Sequence, residues 1–345
     1  MLSSQHKLVK LGLHAARING IADDDPYFVN HVQDYIEPEF EMIISGLIPA
    51  DAVCIDIGAN IGIKTFILAK QAKDGVVLSI EASPRVYEAL RQNIDNNKLE
   101  NVLAVNAAVT DTTTTVRFAE NSAWGHIQKL DCGEGCGGTE VAGITLKDML
   151  DKHLPHKTIH FVKIDVEGHE YVILENAAPV FQQHNPWIYF EYNSLCLLCG
   201  DTNPKEFLKW IFSNFEYVFR VEKNALNAGN ALLRRVNSSD WQFLLYENIV
   251  SNGSVDDFIV TNRKSALHEV RTLLLPSPVM AQLQAQRELN REIQAQLQAC
   301  HMQNLLFQQN IQEVQAALNG IRLSRSFRLT APLRALANLL RKFSQ

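Results

Sequence analysis

Val53-Cys-Ile-Asp56-Ile-Gly58-Ala-Asn60-Ile-Gly62 reads as a buried strand that runs into a glycine turn and then a helix. The apolar run 53–57 stops at the first glycine, and helical spacing resumes over 61–71. Glycines at this point permit a tight turn and let a ligand approach the backbone closely. N–H groups at the start of the following helix would face an anionic part of that ligand.

Further along the chain the pattern repeats. A second apolar run covers 76–80, and an amphipathic helix covers 85–96, with Pro84 suited to its first turn. Strands are predicted at 102–105, 159–164, 187–192, 217–221, 243–246 and 258–260, and helices at 146–150, from 165 to about 175, and at 205–212. Strands alternating with helices predict an α/β fold: a Rossmann-like, mostly parallel sheet with helices on both faces. Right-handed crossovers place the ligand crevice at the carboxyl ends of the strands.

The turn is not a nicotinamide-type fingerprint, which needs Gly-x-Gly-x-x-Gly; this one reads Gly-x-Asn-x-Gly. Asp56 at the first strand end suits acceptance from an ammonium or a bound water. Glu81, closing the second strand, can accept from both hydroxyls of a ribose. S-adenosylmethionine carries an ammonium, a carboxylate and a free ribose diol, so it fits this pair of strand ends. The other reading is that the glycines serve the turn alone.

At this point the chain resembles a known family. Asp56-Ile-Gly-Ala-Asn-Ile-Gly62, Ile80-Glu81-Ala-Ser-Pro84, Asn93-Ile94-x-x-Asn97, Lys163-Ile-Asp165-Val-Glu167-Gly168-His-Glu170 and Phe190-Glu191 occur in that order. They are similar to the motifs of the FkbM-type methyltransferases, a class I S-adenosylmethionine-dependent group. The resemblance covers about residues 35–265. It implies that Asp56, Gly58, Asn60, Gly62, Glu81 and Ala82 bind the cofactor, with Ala82 standing where proline is commoner. It also implies O-methyl transfer, often to a sugar hydroxyl, without supplying a catalytic residue.

Methyl transfer to an alcohol requires an oriented acceptor oxygen and a route for its proton. Asp165, following the fourth main strand, is the first candidate base. Glu167, Glu170 and His169 follow closely, and His126 is a further histidine candidate. Glu170 has a competing structural reading as a carboxylate favoured at a helix start. A metal variant would place Mg²⁺ on Asp165, Glu191 and Asn193 at neighbouring strand ends. Alternatively, Glu191 and Asn193 bond substrate hydroxyls or cap a loop. Cys132/Cys136 and Cys196/Cys199 could hold zinc, but their separation and the Cys132-Gly-Glu-Gly-Cys136 spacing favour ordinary thiols.

The chain has 345 residues, 46% hydrophobic and 20% charged, which excludes a wholly disordered protein and allows two domains or one with an appendage. Apolar runs are too short to span a bilayer, and no secretory leader is read at the start, so a cytoplasmic location is expected. Beyond Pro276 and Pro278 the composition changes. A 4-3 register runs from Val279 to Ile321, with Asn290 and Asn304 at a positions, and predicts a long coiled-coil helix that makes a homo-oligomer. No acidic residue follows Glu313, so residues 314–345 carry +6 against −12 for the rest.

The predicted organisation is therefore an N-terminal segment 1–35, a methyltransferase domain 36–265, a linker 266–278, a coiled coil 279–321 and a basic amphipathic tail 322–345. The tail resembles segments that follow coiled coils in bacterial surface-polysaccharide enzymes. It suits an anionic membrane surface, which would place the protein peripherally on the cytoplasmic face of the inner membrane; a partner glycosyltransferase is the alternative contact. The acidic body disfavours nucleic acid. The expected function is O-methylation of a sugar or glycan in envelope polysaccharide assembly. The rivals are a small-molecule O-methyltransferase of secondary metabolism and an inactive scaffold for glycosyltransferases.

Overall fold

The computed structural model describes residues 37–119, 125–127, 138–222 and 232–274, with shorter stretches at 6–11, 14–22, 25, 28–29, 32 and 35–36 and scattered positions between 296 and 333. The chain divides into two units, Met1–Leu275 and Pro276–Gln345. Most of the heptads and the basic tail, with Cys132, Cys136 and Cys300, lie outside the described residues.

The first unit opens with a hairpin, β1 (His6–Leu11) and β2 (His14–Asn19), joined by the short β3 (Tyr35–Ile36). Helix α1 (Pro38–Leu47) follows. Then come β4 (Val53–Ile57), α2 (Ile63–Gln71), β5 (Val76–Glu81), α3 (Pro84–Asn96) and β6 (Val102–Asn106). A second small sheet is built from β7 (Ala108–Val109), β8 (Thr114–Ala119), β9 (His126–Ile127) and β10 (Thr139–Ile144). The chain continues through α4 (Leu146–His153), β11 (Phe161–Ile164), α5 (Glu170–Asn176), α6 (Ala178–His184), β12 (Trp187–Asn193), α7 (Ser194–Cys199) and α8 (Pro204–Asn214). It completes the sheet with β13 (Tyr217–Val221), β14 (Leu233–Val236), α9 (Trp241–Ser251) and β15 (Val255–Thr261).

The central sheet runs β14-β13-β15-β12-β11-β4-β5-β6. Strands β6, β5, β4, β11 and β12 are mutually parallel, and β15 pairs antiparallel with both β12 and β13. The chain winds one way from β4 to β6 and the other way from β11 to β12. The topological switch therefore falls between β4 and β11, where open α/β sheets bind ligands.

All five residues of β4 are buried, as they must be in a strand covered on both faces. Alternate residues enter two different cores. Cys54, Phe161, Trp187 and Tyr189 pack with Phe40, Ile43 and Phe66 on one side, and Ile55, Val162, Ile188 and Phe190 pack with Met149, Leu174 and Phe207 on the other. Val9, Leu11, Ala16 and Ile18 of the hairpin enter the first of these cores, so the N-terminal segment is part of this unit's packing.

One strand expectation is corrected. Residues 243–246 lie in α9, not in a strand. Trp241-Gln-Phe-Leu-Leu-Tyr246 is apolar almost all round, which gives no helical stripe to read. The helix is entered through a capping box between Asn237 and Asp240. It turns Glu247 and Asn248 inward, where Arg220 bonds Glu247 at 2.6 Å and Asn248 bonds Asp256 at 2.9 Å. Arg220 also meets Asp256 at 2.7 Å, and Arg234 meets Glu222 at 2.6 Å, all of them buried.

Candidate active site

The site is built first from the turn after β4. Gly58, Asn60 and Gly62 all take positive φ, of 73°, 52° and 94°. Gly58 N–H and Ala59 N–H both donate to Ile80 O at 3.0 Å, which ties the turn to the end of β5. Asn60 N–H donates to one oxygen of Glu81 and Ser83 N–H to the other, each at 2.9 Å. Ser83 in turn accepts from Val86 N–H and caps α3, with Pro84 in its first turn. Glu81 thus fastens two loops and still lines the cavity; burial raises its pKa against the two N–H bonds that lower it. A carboxylate that accepts two N–H bonds keeps lone pairs for a ligand.

Asp56 differs from the expectation. It is fully buried beneath the turn and does not line the cavity. Its carboxylate meets Lys163 Nζ at 3.1 Å and accepts from Thr65 Oγ1 at 2.6 Å. Lys163, also buried, donates to Gly58 O at 2.6 Å and Ile57 O at 3.2 Å. Asp56 therefore holds the lysine that holds the turn, and it is too deep to meet a ligand's ammonium. Gly62 likewise lies just outside the cavity lining. A Cβ there would approach Leu90 of α3 at 2.7 Å, so this glycine serves helix packing.

Asp165 sits at the end of β11 between two lysines. Lys64 Nζ lies 3.4 Å and Lys163 Nζ 3.6 Å from its Oδ2. Burial pushes the Asp165 carboxyl up, but the lysines outweigh it and hold it down at about 2. Burial likewise opposes the charge on Lys64, yet Glu37 at 3.5 Å and Asp165 keep its pKa well above the ordinary range. The Lys64 ammonium also lies 5.9 Å from the ring centres of Phe40 and Tyr189. A carboxylate at about 2 is a weak proton acceptor, so these charges suit Asp165 to fixing positive charge more than to taking a proton.

The next turn carries more carboxylates. Glu167 takes a positive φ of 55° and accepts from Cys196 Sγ at 3.3 Å. Glu170 is fully buried at the start of α5 and does not line the cavity. It accepts from Val166 N–H at 2.9 Å and Gly168 N–H at 3.0 Å, which satisfies the turn. Burial pushes its pKa up to about 7 despite those bonds. Its place is the structural one, a helix-start carboxylate that organises the loop. His169 does line the cavity; burial lowers its pKa, and its Nε2 has no hydrogen-bond partner. His126 is exposed on β9.

Asp165, Glu167 and Glu191 each offer an oxygen within 4.8 Å of the others. They form the one such group of possible metal ligands among the described residues. Asn193 is not one of the three. Its carbonyl oxygen accepts from Cys196 N–H at 3.1 Å and caps α7, while its amide faces Glu191 at 3.5 Å. Burial raises the Glu191 pKa well above the carboxylate range, and neighbouring Asp165, Asp257 and Glu167 add to it. Cys196 and Cys199 are free thiols, and neither joins a metal-ligand group.

These parts enclose a cavity of about 240 Å³ at the carboxyl ends of the parallel strands. Gly58, Asn60, Glu81 and Ala82 line it from β4 and β5, and Asp165, Glu167, His169 and Glu191 line it from β11 and β12. Ala107, Ala108, Val109 and Phe118 add an apolar wall from the β6 side and the small sheet. Sequence reasoning missed Lys64 and Glu37. Lys64 is the second residue of α2, just past the glycine turn, where a lysine at the start of a largely apolar helix was a readable signal. Glu37 is brought in only by the tertiary fold.

The methyltransferase FkbM domain model matches residues 56–220. A comparison with curated proteins gives no match. Among solved structures, methyltransferase FkbM from Methylobacillus flagellatus KT is 15% identical with a TM-score of 0.35, over 63% of this chain and 47% of that one. The O-methyltransferase from Bacillus cereus, in complex with SAH, is 14% identical with a TM-score of 0.35, over 65% of this chain and 78% of that one. The chain thus spans less than half the length of the Methylobacillus protein, and likeness at this level decides neither substrate nor partner. No helix among the described residues is long and apolar enough to cross a membrane. The family match covers the glycine turn, Glu81, the two lysines and the three carboxylates, so residues 56–220 of the chain match a methyltransferase FkbM domain.

Proposed function

We propose that the chain transfers a methyl group from S-adenosylmethionine to a sugar hydroxyl during assembly of a bacterial envelope polysaccharide. The observation that carries this reading is one cavity with a glycine turn and Glu81 at one end and three carboxylates at the other. The residues present fit the cofactor: Gly58 and Asn60 line the cavity at the glycine turn, and Glu81, which lines it too, accepts two N–H bonds and keeps lone pairs for a ligand. Bound there, S-adenosylmethionine supplies an electrophilic methyl group on a sulfonium. Glu81 would accept from its ribose hydroxyls, and Gly58, Asn60 and Ala82 would form the wall around it. Asp56 acts through Lys163.

A sugar offers several hydroxyl donors, and acceptor-only carboxylates match them. Glu167 and Glu191 orient the sugar hydroxyls, and Glu191 receives the proton, since its raised pKa makes it a stronger base than Asp165. His169 lines the same wall, and its buried Nε2 has no hydrogen-bond partner. Mg²⁺ on Asp165, Glu167 and Glu191 is the metal version of this site, favoured by their 4.8 Å grouping. It competes with Lys64 and Lys163 for Asp165, so activity is expected to survive a chelator. Mass spectrometry of envelope glycans with and without the protein, joined to labelled-methyl transfer onto neutral sugars, tests the reading. Label found only in a non-sugar product would overturn it.

The reading extends to the C-terminal third, where the heptads 279–321 would oligomerise the enzyme and the basic tail 322–345 would hold it at an anionic membrane face or on a partner glycosyltransferase. Each basic residue near such a surface contributes ~1 kcal/mol at low salt. Truncation after Ser277 should give an active monomer that no longer sediments with anionic liposomes. A full-length monomer that ignores liposomes would sink this part.

A further inference from the structure

Asn93 in α3 and Asn97 at its C-terminal cap belong to one sequence motif, yet neither lines the cavity. Their side chains stand where a neighbouring strand would stand beside β2. Asn19 N–H donates to Asn93 Oδ1 at 2.7 Å, and Asn93 Nδ2 donates back to Asn19 O at 3.0 Å. Two residues earlier, Arg17 N–H donates to Asn97 Oδ1 and Asn97 Nδ2 donates to Arg17 O, both at 2.8 Å. Four helical residues rise about 6 Å and two strand residues about 6.8 Å, so a helix i, i+4 pair can match alternate strand positions.

The two asparagines are not equivalent. Asn93 is buried, and its Nδ2 also donates to Ile61 O at 2.8 Å, inside the glycine turn. The two preceding peptides of the turn are held as well: Ile61 N–H donates to Asn60 Oδ1 at 2.8 Å, and Asn60 N–H to Glu81. Asn60 holds a left-handed φ that a non-glycine residue adopts only under constraint. Asn97 makes no bond to the turn; its remaining donor contact is to Asn93 O at 2.7 Å.

We propose that Asn93 is a positioning residue: seated between the N-terminal hairpin and the glycine turn, it locks the Ile61–Gly62 peptide of the turn, and through that bond it sets cofactor affinity. The affinity arm of this inference rests on the cofactor reading above.

The test compares Asn93→Asp with Asn97→Asp in the full chain. Each puts a carboxylate oxygen against a β2 carbonyl, but only the first also loses the donor to Ile61 O. Asn93→Asp should weaken S-adenosylmethionine binding by calorimetry about tenfold, the scale of one lost hydrogen bond that holds a buried group. It should speed amide exchange at residues 60–62 and leave kcat at saturating cofactor within about threefold. Asn97→Asp should speed exchange in the hairpin and leave affinity within about twofold. Equal loss of affinity in both variants, or unchanged exchange at 60–62 in Asn93→Asp, would overturn the proposal. If the aspartates do not fold, Asn93→Ala against Asn97→Ala makes the same comparison without a buried charge. If the unaltered chain binds no S-adenosylmethionine, the cofactor reading fails, and exchange at residues 60–62 alone decides the role of Asn93.

Discussion

Gly58 lies directly against the backbone of Asp165: a Cβ at position 58 would come 1.9 Å from the Asp165 carbonyl oxygen. The first and fourth parallel strands therefore meet at the switch point with no room for a side chain. Gly58 also has a φ of 73°. Gly58→Ala should cost at least ~1–2 kcal/mol from the left-handed backbone alone, and the contact adds to this. Urea unfolding measures the loss, and a variant as stable as the parent would contradict the close approach.

Glu81 fastens the turn and the α3 cap at once. Glu81→Ala should weaken S-adenosylmethionine binding by roughly 1–3 kcal/mol, the scale of lost bonds to a charged acceptor. Calorimetry reads it directly. Unchanged affinity would remove Glu81 from the cofactor site.

Asp165 stabilises the fold while ionised. Its folded pKa of about 2 lies below the ordinary 3.8, so its contribution is present above about pH 4 and fades as pH falls through about 2. Asp165→Asn should lower stability at pH 7 by ~1–3 kcal/mol, since Lys163 keeps Asp56 and Lys64 keeps Glu37. The gap between parent and variant should close between pH 4 and 2. A gap that persists unchanged at pH 2 would show that the carboxylate is not what the lysines need.

Glu191 should set the pH dependence of turnover. Its pKa is raised well above 4.5, so activity should rise with pH through a step well above the ordinary carboxylate range. Glu191→Gln should abolish that step and most turnover, leaving cofactor affinity nearly intact. A pH–rate profile that keeps its step in Glu191→Gln would assign the proton to another group, His169 first.

Arg220 lies among Glu247 and Asp256 in the buried network behind β15. Arg220→Met removes the cation and leaves the acids in a low-dielectric place. The expected cost is about 3–5 kcal/mol, read by chemical denaturation at neutral pH. A loss below about 1 kcal/mol would mean that water enters and solvates the acids.

The parallel half of the fold was legible because its signals are local. Val53–Ile57, Val76–Glu81 and Trp187–Asn193 are short apolar runs that end at glycine, carboxylate or asparagine. The hairpin His6–Asn19 and the small sheet around Phe118 were not legible, since half of each six-residue strand is polar or charged and no unbroken apolar run marks it. Asp56 shows the limit at the site. A carboxylate at a strand end looks the same in sequence whether it faces a ligand or a buried lysine, and only the pairing of β4 with β11, which places Lys163 opposite Asp56, decides it. Glu37 enters from outside the motif for the same reason.

The asparagine pair on α3 has a consequence for the chain's solution behaviour. Strand β2 is one of the two outer strands of its three-stranded sheet, and an outer strand with open N–H and C=O groups is a template for another chain to add to. At Arg17 and Asn19 those groups are already taken by Asn97 and Asn93. The helix thus closes the edge that would otherwise invite strand addition, and loosening either asparagine would expose a growth point for aggregation while the enzyme is being made.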